Sequence, residues 1–203
     1  AFEHILMESN LRKALANHEF IVYYQPQTFG KDNRIFGMEA LVRWQHPKLG
    51  MISPAKFIPL AEETGLIIPL GEEIFDIATK QIVQWMKDSS TNYRVAINLS
   101  VKQLQQTNIV EKLTKILKSN KCSPEWIELE VTEGYVMKNP ELAINTLQHF
   151  SDMGVEMAID DFGTGYSSLS YLKRLPINKL KIDQSFIRDL SVDEDDRAII
   201  DSI

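Results

Sequence analysis

The sequence predicts an α/β fold on a mostly parallel sheet, opened by one antiparallel strand pair. Two β-rich runs near the N-terminus are joined by a turn cluster too short for a crossover, which makes them a hairpin. After them, helical and strand patterns alternate at the spacing of βαβ units. Each strand also splits into two chemically distinct faces, as alternation along a strand requires. Composition agrees: of 203 residues, 44% are hydrophobic and 25% charged, with 9 Gly and 8 Pro, which argues against a collagenous, low-complexity or disordered chain.

In chain order, Ile5, Leu6, Leu11, Ala14 and Leu15 recur at spacings near three and four, so residues 5–17 read as an amphipathic helix. Phe20–Gln25, rich in β-branched and aromatic residues and stopped by Pro26, is a first strand; after the turn residues Gly30–Asn33, Ile35 to about Trp44 is a second. Pro54–Ala61 and Glu72–Lys87 read as helices, Arg94–Leu99 as a strand, Val101–Ser119 as a helix and Trp126–Val131 as a strand. Pro140–Met153 is a helix capped by Gly154, Val155–Ile159 a strand, Ser167–Leu172 a short helix and Lys179–Ile182 a sixth strand. Asp193–Asp196 then starts a further helix, with Ile199, Ile200 and Ile203 opening an apolar stripe. Six strands and an unfinished helix read as a closed barrel cut short, because a complete eightfold barrel takes about 250 residues.

Lys and Arg total 22 against 28 Asp and Glu, a net charge of −6, so nothing favours duplex nucleic acid or an anionic membrane. A phosphate ligand would need local cations. The single Cys122 cannot form an internal disulfide, which fits a reducing compartment. No run approaches the ~18 apolar residues of a membrane span, and the N-terminus lacks a signal-peptide pattern. The expectation is a cytoplasmic domain whose parent protein has room for a membrane anchor elsewhere.

The strand faces carry the chemistry. One reads Met38, Ala40, Val42; Val95, Ile97, Leu99; Ile127, Leu129, Val131; Val155, Met157, Ile159; Leu180, Ile182, and should pack under helices. The other carries Glu39 and Arg43, Asn98, Glu128 and Glu130, Glu156 and Asp160, then Lys179, Lys181 and Asp183. Parallel strands buried on both faces normally read as continuous apolar runs, and unpaired buried charge costs several kcal/mol per ion. Arg43 and Lys181 neutralise too few of these acids, which points to bound cations. The candidate ligands Glu39, Asn98, Glu130, Asp160 and Asp161 are all oxygen donors, favouring Mg²⁺ or Mn²⁺ over zinc. The adjacent Asp160 and Asp161 suit a bridge between two ions, the arrangement that activates water for phosphoester cleavage.

Six stretches carry a resemblance in order along the chain: Tyr24-Gln25-Pro26, Met38-Glu-Ala-Leu-Val-Arg-Trp44, Asn98-Leu99-Ser100, Glu130-Val131-Thr132-Glu133, Asp160-Asp-Phe-Gly-Thr-Gly-Tyr-Ser-Ser-Leu169 and Lys181-Ile182-Asp183. Together they resemble the EAL family, the bacterial phosphodiesterases of cyclic di-GMP, from the N-terminal helix to the last residue. The resemblance implies a TIM-type (β/α)8 barrel with an antiparallel first strand, of which residues 1–203 hold an EAL domain through the sixth strand. It implies metal-dependent hydrolysis of cyclic di-GMP to linear pGpG, with Mg²⁺ or Mn²⁺, two ions, on Glu39, Asn98, Glu130, Asp160 and Asp161. Lys181 would hold the attacking water or the scissile phosphate, Arg43 would bind phosphate, Gln25 would contact a guanine or the adjoining backbone, and Asp183 joins the substrate-binding set. Glu133 would anchor the loop Phe162 to Ser168, whose Gly163 and Gly165 permit backbone angles closed to other residues. A homodimer and a covalently linked diguanylate-cyclase-like or sensory domain are the implied partners.

The family also places a catalytic Glu in an Ala-Glu-Gly-Val-Glu pattern on the seventh strand and a Gln-Gly-Tyr pattern on the eighth, and neither occurs in this sequence. Residues 1–203 alone are therefore expected to be inactive, and a catalytically inactive cyclic di-GMP receptor is the alternative. An enolase-like barrel is a third reading by fold analogy, opposed by the Asp160-Asp161 pair and the glycine loop. His4, His18, His46 and His149 have no ligand spacing and read as structural or surface residues, and Trp44, Trp85 and Trp126 read as core.

Overall fold

In the computed structural model, which describes residues 2–89, 92–138, 140–163 and 172–184, strand β1 (Phe20–Thr28) runs antiparallel to β2 (Ile35–His46) from Phe20 opposite Trp44 to Pro26 opposite Met38. The hairpin expected from the short link is thus present. The chain divides into two units, Ala1–Glu128 and Leu129–Ile203.

In the first unit, β2 continues beyond the predicted Trp44 and folds back into a short antiparallel strand, β3 (Gly50–Ile52), that the sequence reading does not contain. Its turn is tightened by His46, whose Nδ1 accepts the N–H groups of Lys48 and Leu49 at 3.0 and 3.1 Å. Gly50 takes φ +70° there, a conformation that costs an L side chain dearly. On the edge away from β1, which β3 also uses, β2 pairs parallel with β4 (Arg94–Asn98). Helix α1 (Phe2–Ala16) packs on α2 (Pro54–Thr64), with Pro54 at its first turn and Gly65 left-handed after its end, and α3 (Ile67–Asp88) follows.

The apolar strand face meets these helices in one aromatic cluster. Phe20, Trp44 and Phe57 lie with ring centroids 5.7 Å apart in each pairing, Trp44 and Phe57 edge to face. Leu11, Leu60 and Leu70 fill the space around them. Trp44 is fully buried, so its indole N–H needs an acceptor, and Glu19 Oε2 supplies one at 2.9 Å.

The single helix read over Val101–Ser119 is two, α4 (Val101–Leu104) and α5 (Ile109–Asn120). Thr107 and Asn108 are poor helix formers, and the chain turns through Gln105 and Gln106 before Asn108 O accepts from Lys112 N–H to open α5. Helix α4 starts from a capping box: Ser100 Oγ accepts Gln103 N–H at 3.3 Å, while Gln103 Oε1 accepts Ser100 N–H at 3.0 Å. The Gln103 side chain is 2% exposed and occupies the space above Gly71 of α3, where a Cβ would overlap its amide. Cys122 follows α5; it is buried, and burial pushes its thiol up to about 12.

Strand β5 (Ile127–Thr132) leads into the second unit, where α6 (Glu133–Lys138), absent from the sequence reading, precedes α7 (Pro140–Asp152), β6 (Glu156–Phe162) and β7 (Lys179–Ile182), the sixth strand of that reading. There β6 lies between β5 and β7, and its pairing with β7 is parallel. Gly154, at φ +94°, closes α7 as expected, and α7 packs on β6. The fold is therefore α/β with a mostly parallel sheet and an antiparallel first pair. Apart from Leu172, the short helix read from Ser167 lies outside the described residues, as do Gly165, Asp193–Asp196 and the isoleucine stripe. Among the described residues no helix is long and apolar enough to cross a membrane.

Two outcomes follow from this packing. Gly71→Ala should lower stability by about 1–3 kcal/mol in urea titration, because the new methyl displaces the Gln103 amide, and adding Gln103→Ala should recover part of the loss. The native Cys122 thiol should resist a thiol-reactive disulfide reagent at pH 8, since its raised pKa leaves almost no thiolate, and should react at once in denaturant.

Candidate functional site

Strand register decides which polar side chains share a surface. In the first unit Gln25 lies opposite Glu39, Tyr23 opposite Leu41 and Ile21 opposite Arg43, so these six residues share one face of the hairpin. Across the parallel pair Glu39 matches Ala96, which sets Asn98 diagonally beyond it on the same face. The Asn98 amide Nδ2 donates to Glu39 Oε1 at 3.1 Å. That bond orients the carboxylate and leaves the Asn98 carbonyl oxygen as an acceptor. Arg43 Nη1 donates to Val42 O at 2.8 Å, and its guanidinium stands 5.4 Å from the centre of the Tyr23 ring.

In the second unit Glu130 is 1% exposed on β5. Lys181, on β7, brings its Nζ to 2.6 Å from Glu130 Oε2 and 3.2 Å from Asp160 Oδ2. Carboxylate oxygens of Glu130 and Asp160 also come within 4.8 Å of each other, a like-charge approach that needs a cation.

Asp160 and Asp161 would point to opposite faces in a regular strand. They do not sit in one, because the β6–β7 register shifts between Ile159 and Phe162. Within this bulge Asp161 adopts φ +54°, and its N–H donates to Asp160 Oδ1 at 3.0 Å. Burial first, then the charges of Asp160 and Asp183 and a hydrogen bond with Asp183, push the Asp161 carboxyl above the usual range, while Lys181 opposes them. A divalent cation would relieve this crowding. Beyond the bulge, Gly163 at φ +101° donates its N–H to Glu133 Oε2 at 2.9 Å, and Glu133, first residue of α6, is 2% exposed. The anticipated loop is described as far as Gly163; the rest of Phe162–Ser168 lies outside the described residues.

Thus Gln25, Glu39, Arg43 and Asn98 share a face in the first unit, and Glu130, Asp160, Asp161, Lys181 and Asp183 gather in the second, with Glu133 acting on backbone. The donor set in each is oxygen only, which fits a hard divalent cation. The four histidines take no part in these groups: His4 and His18 pair with Glu63 and Glu73, His46 holds its turn and His149 contacts its own helix. The capping box supporting the strand end after Asn98 is missing from the sequence reading, although Ser100-Val-Lys-Gln103 spells its signature. Tyr23 is also missing, and no local signal marks it, because its contact with Arg43 runs across the hairpin.

Residues 8–203 match the EAL domain family. The bifunctional diguanylate cyclase/cyclic di-GMP phosphodiesterase MucR of Pseudomonas aeruginosa is 41% identical over 203 residues, 100% of this chain and 30% of that protein. The cyclic di-GMP phosphodiesterase PdeR of Escherichia coli is 43% identical over 189 residues, 93% of this chain and 28% of that protein. The chain thus spans under a third of the length of these relatives. Among solved structures, the phosphodiesterase PaMucR in complex with c-di-GMP superposes with a TM-score of 0.93 at 41% identity, covering 98% of this chain and 80% of that one.

Two substitutions probe the second unit's chemistry. With divalent cations chelated, Lys181→Met should cost about 3 kcal/mol in thermal or urea unfolding, because it removes the ammonium that meets the buried Glu130 carboxylate at 2.6 Å, and millimolar Mg²⁺ should restore part of that loss. Glu133→Ala should speed hydrogen exchange at the Gly163 amide by about 10- to 100-fold, the worth of a hydrogen bond to a charged acceptor.

Proposed function

The chain belongs to the EAL domain family, and from that premise we propose that it is the phosphodiesterase domain of a larger signalling protein, hydrolysing cyclic di-GMP to linear pGpG. The observation that supports this most is Lys181 between Glu130 and Asp160, beside the bulged Asp160-Asp161 pair. A lone buried acid is commonly structural. Acids crowded around one lysine, with Asp161 pushed toward its protonated form, suit a site that accepts cations and a phosphodiester.

In this reading Glu39, Asn98, Glu130, Asp160 and Asp161 hold two Mg²⁺ or Mn²⁺ ions. Ions held by these residues would supply Lewis-acid activation of water and charge stabilisation for phosphoester hydrolysis. Lys181, whose ammonium already rests on two carboxylates, holds the water or the scissile phosphate. Arg43 supplies positive charge to phosphate, Gln25 hydrogen-bonds a guanine or the adjoining backbone, and Asp183 completes the substrate-binding set. Glu133 keeps Gly163 in place and with it the bulge that aims Asp160 and Asp161. The presence together of the five oxygen donors Glu39, Asn98, Glu130, Asp160 and Asp161 favours turnover over a receptor that only binds.

The name of MucR, a bifunctional diguanylate cyclase/cyclic di-GMP phosphodiesterase, supports one part of the partner reading, a diguanylate-cyclase-like domain in the same protein; a sensory domain as its alternative and assembly as a homodimer complete the proposal. Mass measurement by light scattering on the full-length protein checks the dimer.

The decisive assay follows conversion of cyclic di-GMP to the linear dinucleotide by the full-length protein. Mg²⁺ or Mn²⁺ should support turnover, whereas Ca²⁺ and chelator should not, since the looser Ca²⁺ shell misplaces the nucleophile. Glu39→Ala and Glu130→Gln should each lower kcat by at least about a hundredfold with the fold retained, and rates within about tenfold of the parent would overturn the ligand assignment.

A further inference from the structure

Tyr23 stands out on the hairpin face because 52% of it is exposed although it lies mid-strand, directly between Gln25 and Ile21. Core packing does not account for a ring so open. The neighbouring residue Tyr24 points to the opposite face and packs edge-on against Trp85, with centroids 4.8 Å apart, as a structural aromatic does. Tyr23 instead offers its ring to Arg43: the two are diagonal neighbours across the antiparallel pair, and the guanidinium stands 5.4 Å from the ring centre. That distance is within the range of a cation–π contact.

Arg43 needs such a support. A free arginine at a sheet surface samples many rotamers, and the Nη1 bond to Val42 O, at 2.8 Å, fixes only one end of the guanidinium. With the ring beneath it, the planar fork is held above the face that also carries Glu39 and Gln25, where its N–H donors suit a phosphate. We propose that Tyr23 is a positioning residue for phosphodiester recognition: its ring pre-orients the Arg43 guanidinium, so that substrate binding does not have to order that side chain. This rests on the reading of Arg43 as a phosphate-binding residue.

The test is a double-mutant cycle on the full-length protein, with cyclic di-GMP affinity measured by calorimetry beside KM and kcat, and with thermal melts confirming folding. Tyr23→Val keeps strand propensity but removes the ring, and should weaken binding and raise KM about three- to tenfold with kcat nearly unchanged. Tyr23→Phe, which keeps the aromatic face, should recover most of that loss. In an Arg43→Ala background the Tyr23→Val effect should vanish, because the ring then has nothing to hold. If Arg43→Ala weakens binding but Tyr23→Val leaves it unchanged, or adds its full effect in the Arg43→Ala background, the positioning role is overturned while the phosphate-binding reading stands. If Arg43→Ala itself leaves affinity intact, or the parent binds no cyclic di-GMP, the underlying reading fails and this inference with it.

Discussion

Glu130 places a carboxylate with 1% exposure in the middle of a strand whose neighbours Leu129 and Val131 are fully buried. Uncompensated, such a charge would cost several kcal/mol, a large fraction of a domain's net stability. The second unit is arranged around that cost. Lys181 reaches from β7 to meet Glu130 and touches Asp160 as well, so one ammonium serves two acids and ties β7 to both. It leaves the local balance negative. A strand order of β5, β6 and β7 is what brings these three side chains together, which makes the pairing of the strands and the chemistry of the site one problem.

The bulge at Asp160-Asp161 belongs to the same arrangement. A left-handed backbone at a non-glycine residue is uncommon and carries strain, and here it sits where two acids follow one another. Asp160 Oδ1 takes the Asp161 N–H, so the first acid stabilises the backbone that re-aims the second. Gly163 and the buried Glu133 carboxylate fix the exit from the bulge, with the first residue of α6 gripping the chain thirty residues later. Strain of this kind persists only where the surroundings over-determine it.

The first unit solves a different problem, holding polar groups on one face of strands whose other face is core. Trp44, Phe20 and Phe57 anchor that core, and because strand sides alternate, burying Trp44 and Ala40 turns Arg43 and Glu39 the other way. A one-residue slip would reverse both. The Ser100–Gln103 capping box, packed into the space Gly71 leaves open, fixes the end of β4 just beyond Asn98.

Much of this was legible from residue order. Period-two alternation separated Glu39, Asn98 and Glu130 from the apolar face, the short link implied the antiparallel pair, and the ordered motifs identified the family, because each of these signals is carried by neighbouring residues. Local pattern also misled in places: continuous helical periodicity hid the break between α4 and α5, and β3 and α6 were too short to announce themselves. Other features depend on partners distant in sequence. That Lys181 serves Glu130 and Asp160 together, that Asp161 leaves regular strand geometry, that Glu133 holds Gly163, and that Tyr23 carries Arg43 follow from strand pairing and register, which only the folded chain defines. Residue types and their alternation determine which groups face away from the core; tertiary structure decides which of them meet, because contact across strands depends on register, and register is a property of the whole sheet.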